Sequence, residues 1–172
     1  MAVQFNSSAE IRKDRLRFTK NTLSSNLILG AIAANAFYFV SIYSTDAGNY
    51  YYRLLIGVSI VYNLVFMLLA FLASEGVKGY KMGYAILSIL LGILQAGRIF
   101  YLPMKAFKAP NPVTESDLPT VMGAGQFRYV AICLCISAVL LIGAGVWGMI
   151  ETATLDRYQR ELDDKQNWGD QR

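Results

Sequence analysis

The segment from Lys81 to Lys105, KMGYAILSILLGILQAGRIFYLPMK, decides the fold, because it is long and apolar and has a single internal charge, Arg98. At about 100° per residue of helix, its polar side chains share a stripe about 80° wide: Tyr84, Ser88, Gln95 and Arg98. The opposite side is apolar: Ile86, Leu90, Ile93, Gly97 and Phe100. Polar side chains in contact with lipid are energetically costly, so this side of the helix is predicted to face other helices or water.

Three further segments, 21–45, 54–74 and 129–150, contain no charged residue. Charged residues make up 16% of the 172-residue chain, below the roughly 25% of an average soluble domain. A bilayer core of about 30 Å requires about 20 helical residues, and all four apolar segments reach this length when Arg98 is included. The sequence therefore predicts an all-α fold, a membrane-spanning four-helix bundle.

Basic residues are unevenly distributed between the two ends of the predicted spans. Eleven lie before the first span, between spans two and three, or after span four, and four lie in the other two connections. Membrane proteins carry an excess of basic residues on their cytoplasmic side. The distribution in this chain therefore predicts that both termini lie in the cytoplasm. Three parts are predicted: a basic N-terminal segment at 1–25, a transmembrane domain at 26–150 and a cytoplasmic C-terminal helix or tail at 151–172. The expected location is the plasma membrane or a bacterial inner membrane.

The two outer connections are predicted to differ in length. Residues from Ser44 to Arg53 are interpreted as a tight polar hairpin. The 103–127 segment holds all four prolines, which restrict the backbone, so its first part is expected to be extended. Because long connections in compact domains are usually functional, this outer loop is a candidate for an external contact.

The basic N-terminal segment is predicted to form a helix from about Ser8. Such a helix places Lys13, Arg17 and Lys20 on one face, where they are candidates for contact with an anionic lipid surface or a partner. In the alternative interpretation these charges only set the topology.

Small residues form a stripe along the fourth span, at Cys133, Ser137, Ala144 and Gly148, with Gly143 and Gly145 beside it. Small side chains let two membrane helices approach closely, so the stripe predicts helix packing. Cys133 and Cys135 point about 200° apart on a helix and cannot form a disulfide with each other.

Four polar residues within the spans are the interaction or pathway candidates: Asn35, Asn63, Gln95 and Arg98. The three amides are expected to face other helices, because an amide unpaired in lipid is costly. Arg98 lies four residues before Leu102 and is expected to reach the outer interface or an anionic partner. The alternative is a snorkelling arginine without a function.

The chain contains no histidine, and its predicted spans contain no acidic residue. This argues against histidine-based catalysis and against transport coupled to an intramembrane carboxylate. No catalytic residue, metal site or cofactor is predicted, and no binding to nucleic acid. We expect a non-catalytic structural or accessory subunit of a larger membrane complex or homo-oligomer, whose partners are the lipid bilayer and other subunits or copies of itself. The alternative is a small oligomeric channel or transporter with a weakly polar pathway.

Overall fold

The computed structural model describes residues 8–55, 57–111 and 120–170. These residues form six helices: α1 (Ser8–Phe18), α2 (Thr22–Tyr43), α3 (Asp46–Leu55), α4 (Val58–Lys78), α5 (Met82–Lys108) and α6 (Ala124–Asp170). The helices α2, α4, α5 and α6 are long and apolar enough to cross a membrane. The predicted all-α fold with four membrane spans is confirmed.

The polar stripe of α5 faces the bundle, as its periodicity predicts. Ser88 and Gln95 are fully buried, whereas Phe100, on the opposite side, is 72% exposed. The other members of the apolar side, Ile86, Leu90, Ile93 and Gly97, are exposed too. Tyr84 is the one member of the stripe that is only half-buried. The helix α5 therefore presents a polar face to its neighbours and an apolar face outward.

Glycines bring α5 and α6 into close contact. A Cβ atom on Gly145 would lie 2.7 Å from the backbone oxygen of Ala85, and one on Gly92 would lie 3.0 Å from that of Ala138. The predicted stripe on α6 is buried at Cys133, Ser137, Ala144, Gly145 and Gly148. Gly143 is exposed, and a Cβ there would meet no atom within 4 Å.

The predicted hairpin from Ser44 to Arg53 is instead the helix α3. It lies against the end of α2 so closely that a Cβ on Gly48 would come within 3.0 Å of the backbone oxygen of Ile42. Glycine permits this approach because it has no Cβ atom. The prediction of a tight hairpin was therefore wrong.

The predicted loop at 103–127 is shorter than expected at both ends, because α5 continues to Lys108 and α6 begins at Ala124. Pro103 lies inside α5, where it costs one backbone hydrogen bond, but its side chain is buried. Leu102 and Ala106 pack in the same apolar cluster as Met122, which favours continued helix over an extended chain. Positions 112–119 of this loop lie outside the described residues.

The helix α1 and the last part of α6 lie at the same end of the bundle. Lys13 of α1 lies with its Nζ atom 4.0 Å from Oε2 of Glu161 on α6. The first span begins at Thr22, four residues earlier than predicted, and α6 passes position 150 without interruption. The placement of this end in the cytoplasm stays a prediction from the basic residues.

Candidate functional site

The four polar span residues singled out in the sequence meet inside the bundle. Asn35 on α2, Asn63 on α4 and Gln95 on α5 are fully buried, and Arg98 on α5 is only 6% exposed. We call these four residues the polar cluster. The inward orientation predicted for the three amides is confirmed.

Arg98 does not reach the outer interface, which was one of the two placements expected from the sequence; the other, contact with an anionic partner, stays a prediction. Its guanidinium turns into the bundle, where Nη1 donates to Oδ1 of Asn63 at 3.0 Å and to Oδ1 of Asn35 at 3.5 Å. Gln95 lies three residues earlier on the same helix face, so Arg98 extends the line of buried polar residues on α5. Acceptors on two neighbouring helices take the place of water around the charge.

The amides of the polar cluster are bonded to each other. Nδ2 of Asn35 donates to Oδ1 of Asn63 at 2.9 Å. Nε2 of Gln95 donates to Oδ1 of Asn35 at 2.7 Å and to Oγ of Ser137 at 3.4 Å, and that hydroxyl donates to the backbone oxygen of Ala31. The bonds join all four spans. Such hydrogen bonds between membrane helices contribute about 0.6 kcal/mol each on average.

Two tyrosines enclose the guanidinium of Arg98. Its Cζ atom lies 4.4 Å from the ring centroid of Tyr38 and 4.9 Å from that of Tyr62. A guanidinium over an aromatic ring is stabilised by about 0.5–2 kcal/mol, with the larger value for desolvated pairs. Neither tyrosine was identified from the sequence, although Tyr38 is one helical turn from Asn35 and Tyr62 adjoins Asn63.

The polar cluster contains buried polar atoms that have no hydrogen-bond partner. In the described part of the chain, Nε and Nη2 of Arg98 have no hydrogen-bond partner, and neither does Oε1 of Gln95. The acceptors that Arg98 does have are neutral amide oxygens. The cluster therefore holds a buried positive charge that its neighbours solvate without neutralising it.

The chemistry of the polar cluster is that of binding and packing. It consists of amides, a hydroxyl, two phenol rings and a guanidinium, none of which is a ready general base at neutral pH. Within the described residues, no three His, Cys, Asp or Glu side chains come together. Both cysteines are free thiols, with Cys133 buried and Cys135 exposed.

The basic residues of the N-terminal segment lie at the opposite end of the bundle from the polar cluster. Lys13 faces α6, where its Nζ atom lies 6.0 Å from the ring centroid of Tyr158. Arg17 has Nη1 3.9 Å from Oδ1 of Asp14, and Lys20 is exposed beyond the end of α1. Lys13 thus contacts the protein itself. Contact of Arg17 and Lys20 with a lipid surface stays a prediction.

Comparison with known protein families, with curated proteins and with solved structures finds no match for this chain.

Proposed function

We propose that this chain is a non-catalytic accessory subunit of a membrane complex, inserted as a multi-pass protein in a plasma membrane or a bacterial inner membrane. The polar cluster carries the proposal. Its four members bond to each other within one chain, across α2, α4 and α5. Hydrogen bonds between helices within one chain orient the helices and specify their packing, which is the property of a scaffold.

The same cluster gives less support to the channel alternative. A permeation pathway exposes polar side chains to water or to the permeating ion. Here Asn35, Asn63 and Gln95 are fully buried in the single chain. Opening a pathway along them would break interhelical hydrogen bonds and separate Arg98 from its acceptors.

The end of the bundle that carries α1 and the last part of α6 is the surface proposed for assembly. Residues 151–170 continue α6 beyond its apolar segment, over about 30 Å at 1.5 Å per residue. Leu155 is buried and α1 lies alongside, whereas Trp168 near the tip is 72% exposed. An exposed tryptophan on a helix that extends from the membrane is a suitable anchor for another subunit or a second copy.

The proposal is tested by purifying the tagged full chain from its native membrane in mild detergent and measuring subunit ratios by native mass spectrometry. Wild-type protein is expected to carry a fixed set of chains in constant ratio. Trp168→Ala should reduce the recovery of that set, because it removes the anchor. Phe100→Ala is the matched control, since Phe100 is an equally exposed aromatic residue, at 72%, on the lipid-facing side of α5.

The subunit proposal is contradicted if the purified protein contains only copies of itself and conducts ions in a planar bilayer, which supports the channel. If Trp168→Ala and Phe100→Ala retain the same chains in the same ratio, Trp168 is not the anchor of the interface.

A further inference from the structure

A cavity of about 660 Å³ lies between α1 and α6. On α1 it is lined by Arg12 and Lys13, and on α6 by Trp147, Ile150 and Glu151. We call this feature the α1–α6 cavity. It lies at the end of the bundle opposite the polar cluster, which the distribution of basic residues predicts to be the cytoplasmic end.

The α1–α6 cavity lies at the depth where the hydrocarbon of the membrane ends. The uncharged segment 129–150 of α6 is about 33 Å long at 1.5 Å per residue, which matches a bilayer core of about 30 Å. The lining on α6 runs from Trp147 to Thr154, so it begins about 5 Å before the end of this segment and reaches about 6 Å beyond it. Because the headgroup region of one leaflet is about 5–8 Å thick, the cavity spans the boundary between hydrocarbon and headgroups.

The wall of the cavity changes in polarity across this boundary. Trp147 is 39% exposed and Ile150 57% exposed, and both precede Glu151, the first charged residue after the apolar segment. Lys13 lies on the side away from the membrane, because its Nζ atom is 4.0 Å from Oε2 of Glu161, ten residues further along α6. The cavity is therefore apolar toward the hydrocarbon and charged toward the cytoplasm.

The charge of the cavity is positive, and part of it is available to a ligand. Arg12 is exposed, and no carboxylate in the described part of the chain lies within ion-pair distance of its guanidinium. Lys13 has a carboxylate only at the limit of such a distance, 4.0 Å. Glu151 is the one acidic residue of the lining, so two basic side chains and one acidic side chain leave one net positive charge.

We propose that the α1–α6 cavity binds one phospholipid with a net negative headgroup, such as a phosphatidylglycerol. The phosphate accepts hydrogen bonds from the guanidinium of Arg12, whose planar fork matches the geometry of phosphate oxygens, and Lys13 adds positive potential. The first part of an acyl chain packs on Trp147 and Ile150. Under the predicted topology this lipid belongs to the cytoplasmic leaflet, which is the anionic one. An acidic segment of a partner protein fits less well, because it has no use for an apolar wall at the depth of the hydrocarbon.

The test uses the full chain in mild detergent with an equimolar mixture of dioleoyl phosphatidylglycerol and dioleoyl phosphatidylcholine. Native mass spectrometry counts the lipids that stay bound. Wild-type protein is expected to retain one phosphatidylglycerol per chain, enriched about fivefold over phosphatidylcholine, since one net basic residue near a membrane surface contributes about that factor.

A first pair of substitutions tests the charge. Arg12→Gln is expected to lower the enrichment about fivefold, and it should fold as wild type because the side chain is exposed and has no ion pair among the described residues. Arg15→Gln is the matched control: Arg15 is exposed on the same helix and its loss changes the charge equally, but it does not line the cavity. An exposed charge outside the cavity is screened by solvent, so this control is expected to change the enrichment less than about twofold.

A second pair of substitutions tests the cavity itself. Thr154 lines it, and its hydroxyl donates to the backbone oxygen of Ile150 within its own helix. Thr154→Trp is therefore expected to fill the cavity and abolish retention of phosphatidylglycerol. Gln159→Trp is the control for bulk, because Gln159 is exposed on the same part of α6 but lies outside the cavity.

The proposal is overturned if wild-type protein retains no phosphatidylglycerol or retains the two lipids equally. It is also overturned if Arg15→Gln lowers the enrichment as much as Arg12→Gln does, because the basic surface of α1 as a whole then attracts the lipid. Unchanged lipid retention in Thr154→Trp, or an equal loss in Gln159→Trp, removes the lipid from the cavity. If Thr154→Trp keeps the lipid but loses a co-purifying protein, the cavity holds a segment of that partner instead.

Discussion

The contact between α5 and α6 at Gly145 gives the sharpest test of the packing. In Gly145→Ala, the new Cβ would lie 2.7 Å from the backbone oxygen of Ala85 and 2.5 Å from Cγ1 of Ile89. The isoleucine side chain can rotate away, but the backbone oxygen moves only with its helix. Restoring an ordinary contact of 3.4 Å requires the two helices to separate by about 0.7 Å, a small-to-large change that costs about 1–3 kcal/mol.

The measurement is reversible unfolding in a titration of mild detergent against sodium dodecyl sulfate, followed by far-ultraviolet circular dichroism. Gly145→Ala is expected to unfold at a lower fraction of dodecyl sulfate. Gly92→Ala should show a smaller loss, because there the nearest backbone atom, the oxygen of Ala138, lies 3.0 Å from the new Cβ.

Gly143→Ala is the matched control, because it makes the same chemical change two residues away on α6, where no atom lies within 4 Å of the new Cβ. It is expected to be neutral or to stabilise the helix by up to about 1 kcal/mol, the difference in helix propensity between glycine and alanine. If Gly145→Ala and Gly143→Ala unfold within about 0.5 kcal/mol of each other, the close α5–α6 contact is absent and the reasoning is refuted.

Three further predictions concern the polar cluster and the topology. Asn35→Leu is expected to cost about 2–4 kcal/mol in the same unfolding assay, because it strips Gln95 of its shortest bond and leaves buried donors unpaired; a loss below about 1 kcal/mol would contradict this. Arg98→Lys is expected to lower stability by about 1–3 kcal/mol despite keeping the charge, since an ammonium lacks the planar fork that lies between two tyrosine rings; wild-type stability would show that charge alone matters. Reporter fusions at Asn49 and Asn111 are expected to read outside the cell, following the distribution of basic residues, and an inside signal at Asn111 would refute the proposed orientation.

Much of the fold is predictable because the bilayer imposes strong constraints on the sequence. Helix length and the absence of charge identify four spans, and the 3.6-residue period of α5 places Gln95 inside and Phe100 outside. The period of one helix gives the direction of its side chains but not which neighbour they meet. The bonds from Asn35 to Asn63 and Gln95 depend on the relative rotation and depth of three helices, which one sequence does not determine.

The connections were less predictable, because local preferences compete there with packing. The prolines of 103–127 predicted an extended chain, yet α5 passes through Pro103 to Lys108. The lost hydrogen bond is offset by burial of Leu102 and Ala106 in the apolar cluster around Met122. At Ser44–Arg53, turn-forming residues predicted a hairpin, but packing of Gly48 against α2 favours a helix.

The period of α5 placed the stripe that contains Arg98 toward other helices or water, but the specific expectation for its guanidinium was the outer interface or an anionic partner, so its neutral acceptors inside the bundle were missed. Insertion scales assign about 2.5–3.5 kcal/mol to an arginine in the middle of a span, and snorkelling is the simplest way to avoid this cost. The structure provides a third environment, with two ring contacts worth about 0.5–2 kcal/mol each and hydrogen bonds that contribute about 1.5–3 kcal/mol when one partner is charged.

These gains are of the same order as the cost of insertion, but the buried Nε and Nη2 atoms of Arg98, which have no acceptor among the described residues, offset part of them at about 1–3 kcal/mol each. Solvation by neutral groups differs, however, from neutralisation. Amide oxygens and tyrosine rings lower the self-energy of the charge, but its positive potential persists, and it is screened only weakly in the surrounding low dielectric. The contacts that make this charge tolerable also join α5 to α2 and α4, through the bonds from Arg98 to Asn35 and Asn63. Tolerance of the charge and the register of the three helices therefore depend on the same side chains, and Asn35→Leu is expected to disturb both.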